Sequence, residues 1–142
     1  MLKPPEPAQG SLQPGDATSP FKGKTGLIRV WNAFFNSMAG LRVALRHESA
    51  FRQEVMLAII MVPIACVVPV TPAERALLIG SVFLVLIVEL LNTSVEVAID
   101  RISFDHHSLS GRAKDLGSAA VFVALALCVV VWALILVPVA LR

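Results

Sequence analysis

The chain has 142 residues, a formal net charge of +2, 56% apolar residues and 15% charged residues, with a mean hydropathy of +0.77. An ordinary soluble domain carries about 25% charged residues, and one domain of this length cannot hide so much apolar surface from water. A soluble globular protein is therefore excluded, and an integral membrane protein of one domain is implied. The small positive charge comes without the basic cluster that a nucleic-acid partner needs, so none is expected. The two cysteines, Cys66 and Cys128, each lie in an apolar run and read as packing residues rather than a disulfide.

Residues 1–25 are rich in proline, glycine and small polar residues, which reads as a disordered tail. The start of the chain shows no apolar h-region, so no signal peptide is expected. Gly23-Lys24-Thr25 mimics the end of a phosphate-binding loop, but that pattern needs a glycine where Thr18 stands, and no strand precedes it.

Residues 26–47 predict an amphipathic helix. Trp31, Phe34, Phe35, Met38, Leu41 and Leu45 recur at helical spacing, with Arg29, Asn32, Asn36, Arg42 and Arg46 on the other sides. Aromatic residues on one face and basic residues on another suit a helix lying in the membrane interface. Three apolar runs follow, over 50–70, 76–99 and 115–141, each near the roughly 20 residues that cross a bilayer. Pro63 is tolerable inside a membrane helix. Pro69 and Thr71-Pro72 mark an exit, and Pro138 reads as a terminus signal. Glu74 and Arg75 cancel in the short first loop, and residues 100–114 form a polar second loop.

Basic residues crowd the N-terminal region and the second loop (Arg101, Arg112, Lys114), whereas the first loop has one. The positive-inside rule then places the N-terminus and the second loop in the cytoplasm and the C-terminus outside.

The chemistry concentrates in Glu89-Leu-Leu-Asn-Thr-Ser-Val-Glu96-Val-Ala-Ile-Asp100. At about 100° per residue, Glu89, Asn92, Thr93, Glu96 and Asp100 share a wedge of roughly 100° on one helix face. An ionisable group at membrane depth costs roughly 2.5–3.5 kcal/mol on insertion scales, which makes it a functional-site candidate. The topology gathers Glu48, Glu54, Lys114 and Asp115 at the same membrane surface, with Arg29 near. Carboxylates and an amide oxygen suit a hard divalent cation, which in the case of Mg²⁺ takes one or two carboxylates and fills the rest with phosphates and water. Lysine and arginine suit phosphate oxygens. Glu89, deeper, is placed to take a proton from a lipid hydroxyl. The residues thus point to phosphoryl transfer from a soluble nucleotide to a membrane-embedded alcohol. Two other readings remain open at this stage: a proton or cation conduit using Glu89 and Glu96, and polar contacts that merely hold helices together. His106-His107 has no third ligand beside it and reads as polar loop rather than metal site.

At these residues the chain resembles the prokaryotic integral-membrane diacylglycerol kinase family. The likeness rests on the segment from Glu89 to Arg101, on Leu109-Ser-Gly-Arg-Ala-Lys114-Asp115-Leu-Gly117-Ser118-Ala-Ala120, and on Glu48-Ser-Ala-Phe51-Arg52-Gln-Glu54. The resemblance implies an all-α membrane fold with an amphipathic surface helix and three transmembrane helices, assembled as a homotrimer with active sites shared between subunits. It implies transfer of the γ-phosphate of MgATP to diacylglycerol, giving phosphatidic acid in phospholipid recycling at the bacterial inner membrane. A branch acting on undecaprenol would use the same residues. By motif position Glu89 would be the proton acceptor, with Asn92 beside it in the catalytic motif. Glu48 and Glu96 would hold Mg²⁺. Arg29, Asn36, Glu48, Glu96, Asp100, Asp105, His106, His107, Lys114 and Asp115 would line the ATP site. Ala33, Ser37, Ala50, Phe51, Arg52, Glu54, Glu89, Ser118 and Trp132 would lie along the lipid.

Overall fold

A computed structural model describes residues 26–102 and 108–141. The expected tail (1–25), the loop residues Asp105, His106 and His107, and Arg142 lie outside the described residues. Within them the chain forms four helices, α1 (Leu27–His47), α2 (Ser49–Val67), α3 (Pro72–Ile102) and α4 (Ser108–Ala140). The last three are long and apolar enough to cross a membrane. By its contacts the chain divides into two compact units, one ending at Ser37 and the other beginning at Met38.

In the first unit, Trp31, Phe34 and Phe35 pack ring against ring at the i, i+3, i+4 spacing of the helix, with centroids 5.3 to 6.5 Å apart. All three are exposed, and so are Arg29, Ala33, Asn36 and Ser37. Ser37 Oγ donates back to the Ala33 carbonyl at 2.9 Å, the usual resting place of a serine inside a helix.

The second unit holds the bundle. α2 and α3 are joined by only residues 68–71, so they run antiparallel. The turn is built by the Thr71-Pro72-Ala73-Glu74 sequence as a capping box. Thr71 N and Oγ1 both donate to Glu74 Oε2 (2.8 and 2.7 Å), and Glu74 N donates back to Thr71 Oγ1 at 3.3 Å. Pro72 takes the first helical position, where its missing N–H costs nothing. Arg75 Nη2 donates to the Val68 carbonyl at 3.0 Å, which closes the end of α2. Glu74 and Arg75, read from the sequence as a cancelling pair of loop charges, therefore fasten the turn.

The buried residues form two small clusters along the bundle. One holds Val82, Val85, Ala124 and Cys128; the other holds Ala65, Leu78 and Ile135. Trp132 packs against both, and its indole N–H donates to the Leu78 carbonyl at 3.2 Å. Most large apolar side chains of α2, α3 and α4 point outward, among them Met56, Ile59, Leu91, Val97, Phe122 and Leu134. In water that surface would be untenable; in hydrocarbon it faces its own kind.

α2 stops at Val67, short of the expected 70, whereas α3 and α4 reach past the expected spans on their polar sides. α3 continues to Ile102 rather than stopping at 99, and α4 begins at Ser108 rather than 115. Pro138 lies inside α4, which ends at Ala140. At 1.5 Å per residue α3 is about 46 Å long, against a hydrocarbon core of about 30 Å. Its polar end therefore projects beyond the apolar layer, as does the first part of α4. Helix without hydropathy carried those segments, and that is why the apolar runs alone ended too early.

Candidate active site

Antiparallel packing brings the start of α2, the end of α3 and the start of α4 to one end of the bundle, because α3 packs on both neighbours. The polar face of α3 points inward there. Glu89 is only 5% exposed, and Asn92, Thr93, Glu96 and Asp100 are half-buried, while Leu91, Val95 and Val97 on the other side are exposed. The wedge read from the sequence is thus an interior face, with polarity inverted relative to a soluble helix.

Glu89 lies among carboxylates. Glu96 and Glu48 are both close enough to repel its charge, and Glu54 is close enough to be repelled by Glu89. Glu96 recurs two turns along α3 from Glu89. Glu48 sits immediately before α2, where its backbone N–H donates to the Ala44 carbonyl at 2.9 Å, and its side chain makes no capping bond to that helix. Its carboxylate is therefore not used by the helix it introduces. Glu54, half-buried one and a half turns into α2, has Oε2 buried without a hydrogen-bond partner among the described residues. Like charges gathered at the mouth of an apolar bundle are costly unless a cation or a proton compensates them.

Asn92 orders part of this group. Its Nδ2 donates to Glu96 Oε1 at 3.1 Å, one helical turn away. Its Oδ1 is buried without a hydrogen-bond partner among the described residues. Further out, Lys114 Nζ donates to Asp100 Oδ1 at 2.6 Å, joining the end of α3 to the beginning of α4. Both side chains stay open to solvent, 40% and 50% exposed, so the ammonium can also reach other anions. Asp115 and Ser118, next along α4, are exposed. Because α4 starts at Ser108, Lys114 stands well inside the helix and not at a dipole-opposed first position.

Of the remaining expected positions, Phe51 is buried at 3% exposure, whereas Ala50 and Arg52 are exposed. Arg52 Nη1 reaches back to the Leu45 and Arg46 carbonyls (3.4 and 3.3 Å) and so ties the end of α1 to the first turn of α2. Trp132 lies eighteen residues along α4 from Lys114, about 27 Å at 1.5 Å per residue, with its N–H engaged on Leu78. The bundle end therefore brings together Glu48, Glu54, Glu89, Asn92, Glu96, Asp100, Lys114 and Asp115, and not Trp132. Among the described residues no three His, Cys, Asp or Glu side chains converge closely enough to enclose a metal ion.

The family model for prokaryotic diacylglycerol kinase matches residues 35–136, which spans every element of this site. The chain belongs to the prokaryotic diacylglycerol kinase family. Among curated relatives it is 52% identical over 118 residues to the diacylglycerol kinase of Pseudomonas aeruginosa, covering 83% of this chain and 96% of that protein. It is 48% identical over 112 residues to the diacylglycerol kinase of Escherichia coli K12, covering 79% and 92%. It is 39% identical over 117 residues to that of Helicobacter pylori 26695, covering 82% and 91%. One residue of this family member's site was not singled out from the sequence: Gly117, across from Asn92. A glycine inside a long helix was the available signal, because glycine costs a helix up to about 1 kcal/mol relative to alanine.

Proposed function

We propose that this family member transfers the γ-phosphate of ATP to the free hydroxyl of a membrane diacylglycerol, producing phosphatidic acid and ADP. The observation that carries the reading is the inward-turned face of α3, with Glu89 buried among Glu48, Glu54 and Glu96 beside the open Lys114–Asp100 pair. Relatives named diacylglycerol kinase support it. A conduit would have no use for a cation-bearing anion site on one side only.

Depth divides the labour. Counted from Pro72, about 20 residues cross the hydrocarbon, so the boundary falls near Asn92. Glu89 lies about one turn below it and Glu96 about one turn above. Glu89 accepts the proton of the lipid hydroxyl as its oxygen attacks the γ-phosphorus and the bond to the β-phosphate oxygen breaks. The lipid lies along Ala50–Glu54 and Ser118, with Trp132 of α4 further along its length. Lys114 meets phosphate oxygens, and Asp100 and Asp115 stand beside it on the nucleotide side.

Glu48 and Glu96 would hold Mg²⁺. The donor set fits: neither carboxylate is consumed by an ion pair among the described contacts, and Glu96 is oriented by Asn92. Mg²⁺ normally takes one or two protein carboxylates and leaves its remaining positions to phosphate oxygens and water. When bound, the metal supplies neutralisation of the phosphate charge. The protein works as a homotrimer whose subunits share sites, in the inner membrane, with the N-terminus and the site on the cytoplasmic side. Its exposed apolar helix faces leave room for such partners.

The test is a kinase assay of the purified protein with MgATP and, separately, diacylglycerol and undecaprenol in mixed micelles. Phosphatidic acid formed in preference to undecaprenyl phosphate is the expected result. Phosphorylation of undecaprenol alone, or of neither lipid, overturns the reading.

A further inference from the structure

α4 passes so close to α3 at Gly117 that a Cβ there would land on Asn92 Oδ1, 3.3 Å from Asn92 Cγ and 3.9 Å from its Cα. Gly40, Gly80 and Gly111 have nothing within 4 Å of the same position. Gly117 is therefore a glycine whose missing side chain is occupied by another residue. That other residue is the one whose Nδ2 donates to Glu96 Oε1.

The Asn92 amide is thus held from two sides. Glu96 takes its N–H, and the bare backbone of Gly117 lies against its oxygen, which is buried and has no hydrogen-bond partner among the described residues. Turning the amide over would relieve the unpaired oxygen only by aiming it at the Glu96 carboxylate, acceptor against acceptor. Moving it outward would break the bond to Glu96. A side chain at 117 would therefore displace the amide from the position in which it donates to Glu96.

We propose that Gly117 is a positioning residue of the phosphoryl-transfer site: its lack of a side chain seats the Asn92 amide between α3 and α4, and that amide fixes how Glu96 presents its free oxygen to a divalent cation. The inference rests on the reading above in which Glu96 binds the cation. Partners that orient a metal ligand typically contribute 10- to 100-fold in metal affinity.

The probe is Mn²⁺, titrated into the full-length protein in detergent micelles with a non-hydrolysable ATP analogue and followed by electron paramagnetic resonance. Gly117→Ala is expected to weaken Mn²⁺ binding about 10- to 100-fold, and to raise the Mg²⁺ half-saturation of the kinase in parallel, with the KM for lipid unchanged. Gly111→Ala, a change on the same helix into open space, leaves Mn²⁺ binding unchanged. In an Asn92→Ala background the added methyl has room, so Gly117→Ala then produces no further loss. A wild-type Mn²⁺ affinity for Gly117→Ala, with Glu96→Gln weakened, overturns this inference and leaves the assignment of Glu96 intact. An unweakened Glu96→Gln removes Glu96 as a ligand. An equal loss from Gly117→Ala with and without Asn92 also overturns the inference, because the effect would then come from helix packing. If Gly117→Ala alone fails to fold, recovery of folding in the double variant supports the contact, and failure of both overturns it.

Discussion

Replacing Glu89 by glutamine separates what the site does from what it costs. The side chain keeps its shape and loses its charge and its basicity. A positioned general base contributes typically 10²- to 10⁴-fold to rate, about 2.7–5.4 kcal/mol of barrier at 1.36 kcal/mol per decade. Glu89→Gln is therefore expected to lower kcat by at least 100-fold, with the KM for ATP little changed, in a mixed-micelle assay with diacylglycerol. Stability moves the other way. Glu89 is 5% exposed and stands among Glu96, Glu48 and Glu54. Like unit charges at an effective dielectric near 20 repel by about 4 kcal/mol at 4 Å and by less further apart. Removing the charge relieves that repulsion without opening a cavity. The thermal midpoint of the detergent-solubilised protein should hold or rise. Turnover above a tenth of the starting rate refutes the base assignment, and a clear fall in midpoint refutes the account of the site as an unfavourable cluster kept for its chemistry.

Lys114→Met should raise the KM for ATP about 10-fold or more, since a hydrogen bond to a charged group contributes roughly 1.5–3 kcal/mol. Thermal unfolding should show less than about 1 kcal/mol of lost stability, because the Asp100–Lys114 pair is largely open to solvent; a collapse of stability would mark the lysine as structural instead. Leu78→Ala removes a side chain with 0% exposure. The cost should sit at the lower end of the range for such changes, about 2 kcal/mol in a detergent-denaturation titration, because lipid rather than water fills the outside of the bundle. No measurable loss would show that the cluster around Leu78 and Ile135 is loosely packed.

Much of this arrangement was legible in the sequence where periodicity and charge act together. The spacing of Glu89, Asn92, Thr93, Glu96 and Asp100 announced one face, and the apolar runs announced three crossing helices, because both signals follow from helix geometry. The limits of those helices were less legible. Ser108–Lys114 and Asp100–Ile102 continue helices outside the apolar layer, where hydropathy carries no information. The Thr71–Glu74 capping box was present as Thr-x-x-Glu before an apolar run but was read as loop charge. Gly117 gave the faintest trace: a residue that acts by having no side chain leaves its meaning in the neighbour that fills the space. Asp105, His106 and His107 fall outside the described residues, and Arg29 and Asn36 belong to the unit that ends at Ser37.

The turn at Thr71–Arg75 has a bearing on how the protein is made. Its bonds are local and close α2 against α3 as a hairpin before anything distant is required. That hairpin already holds Glu48, Glu54, Glu89 and Glu96, yet Asn92 and the rest of the inward face of α3 lack their cover until α4 arrives. An unfinished chain thus shows lipid a polar stripe, which is expensive in hydrocarbon, and the expense is relieved by docking the helix that carries Gly117 and Lys114. Docking α4 thus does two things in one event: it covers the inward face of α3 and brings Lys114 to Asp100.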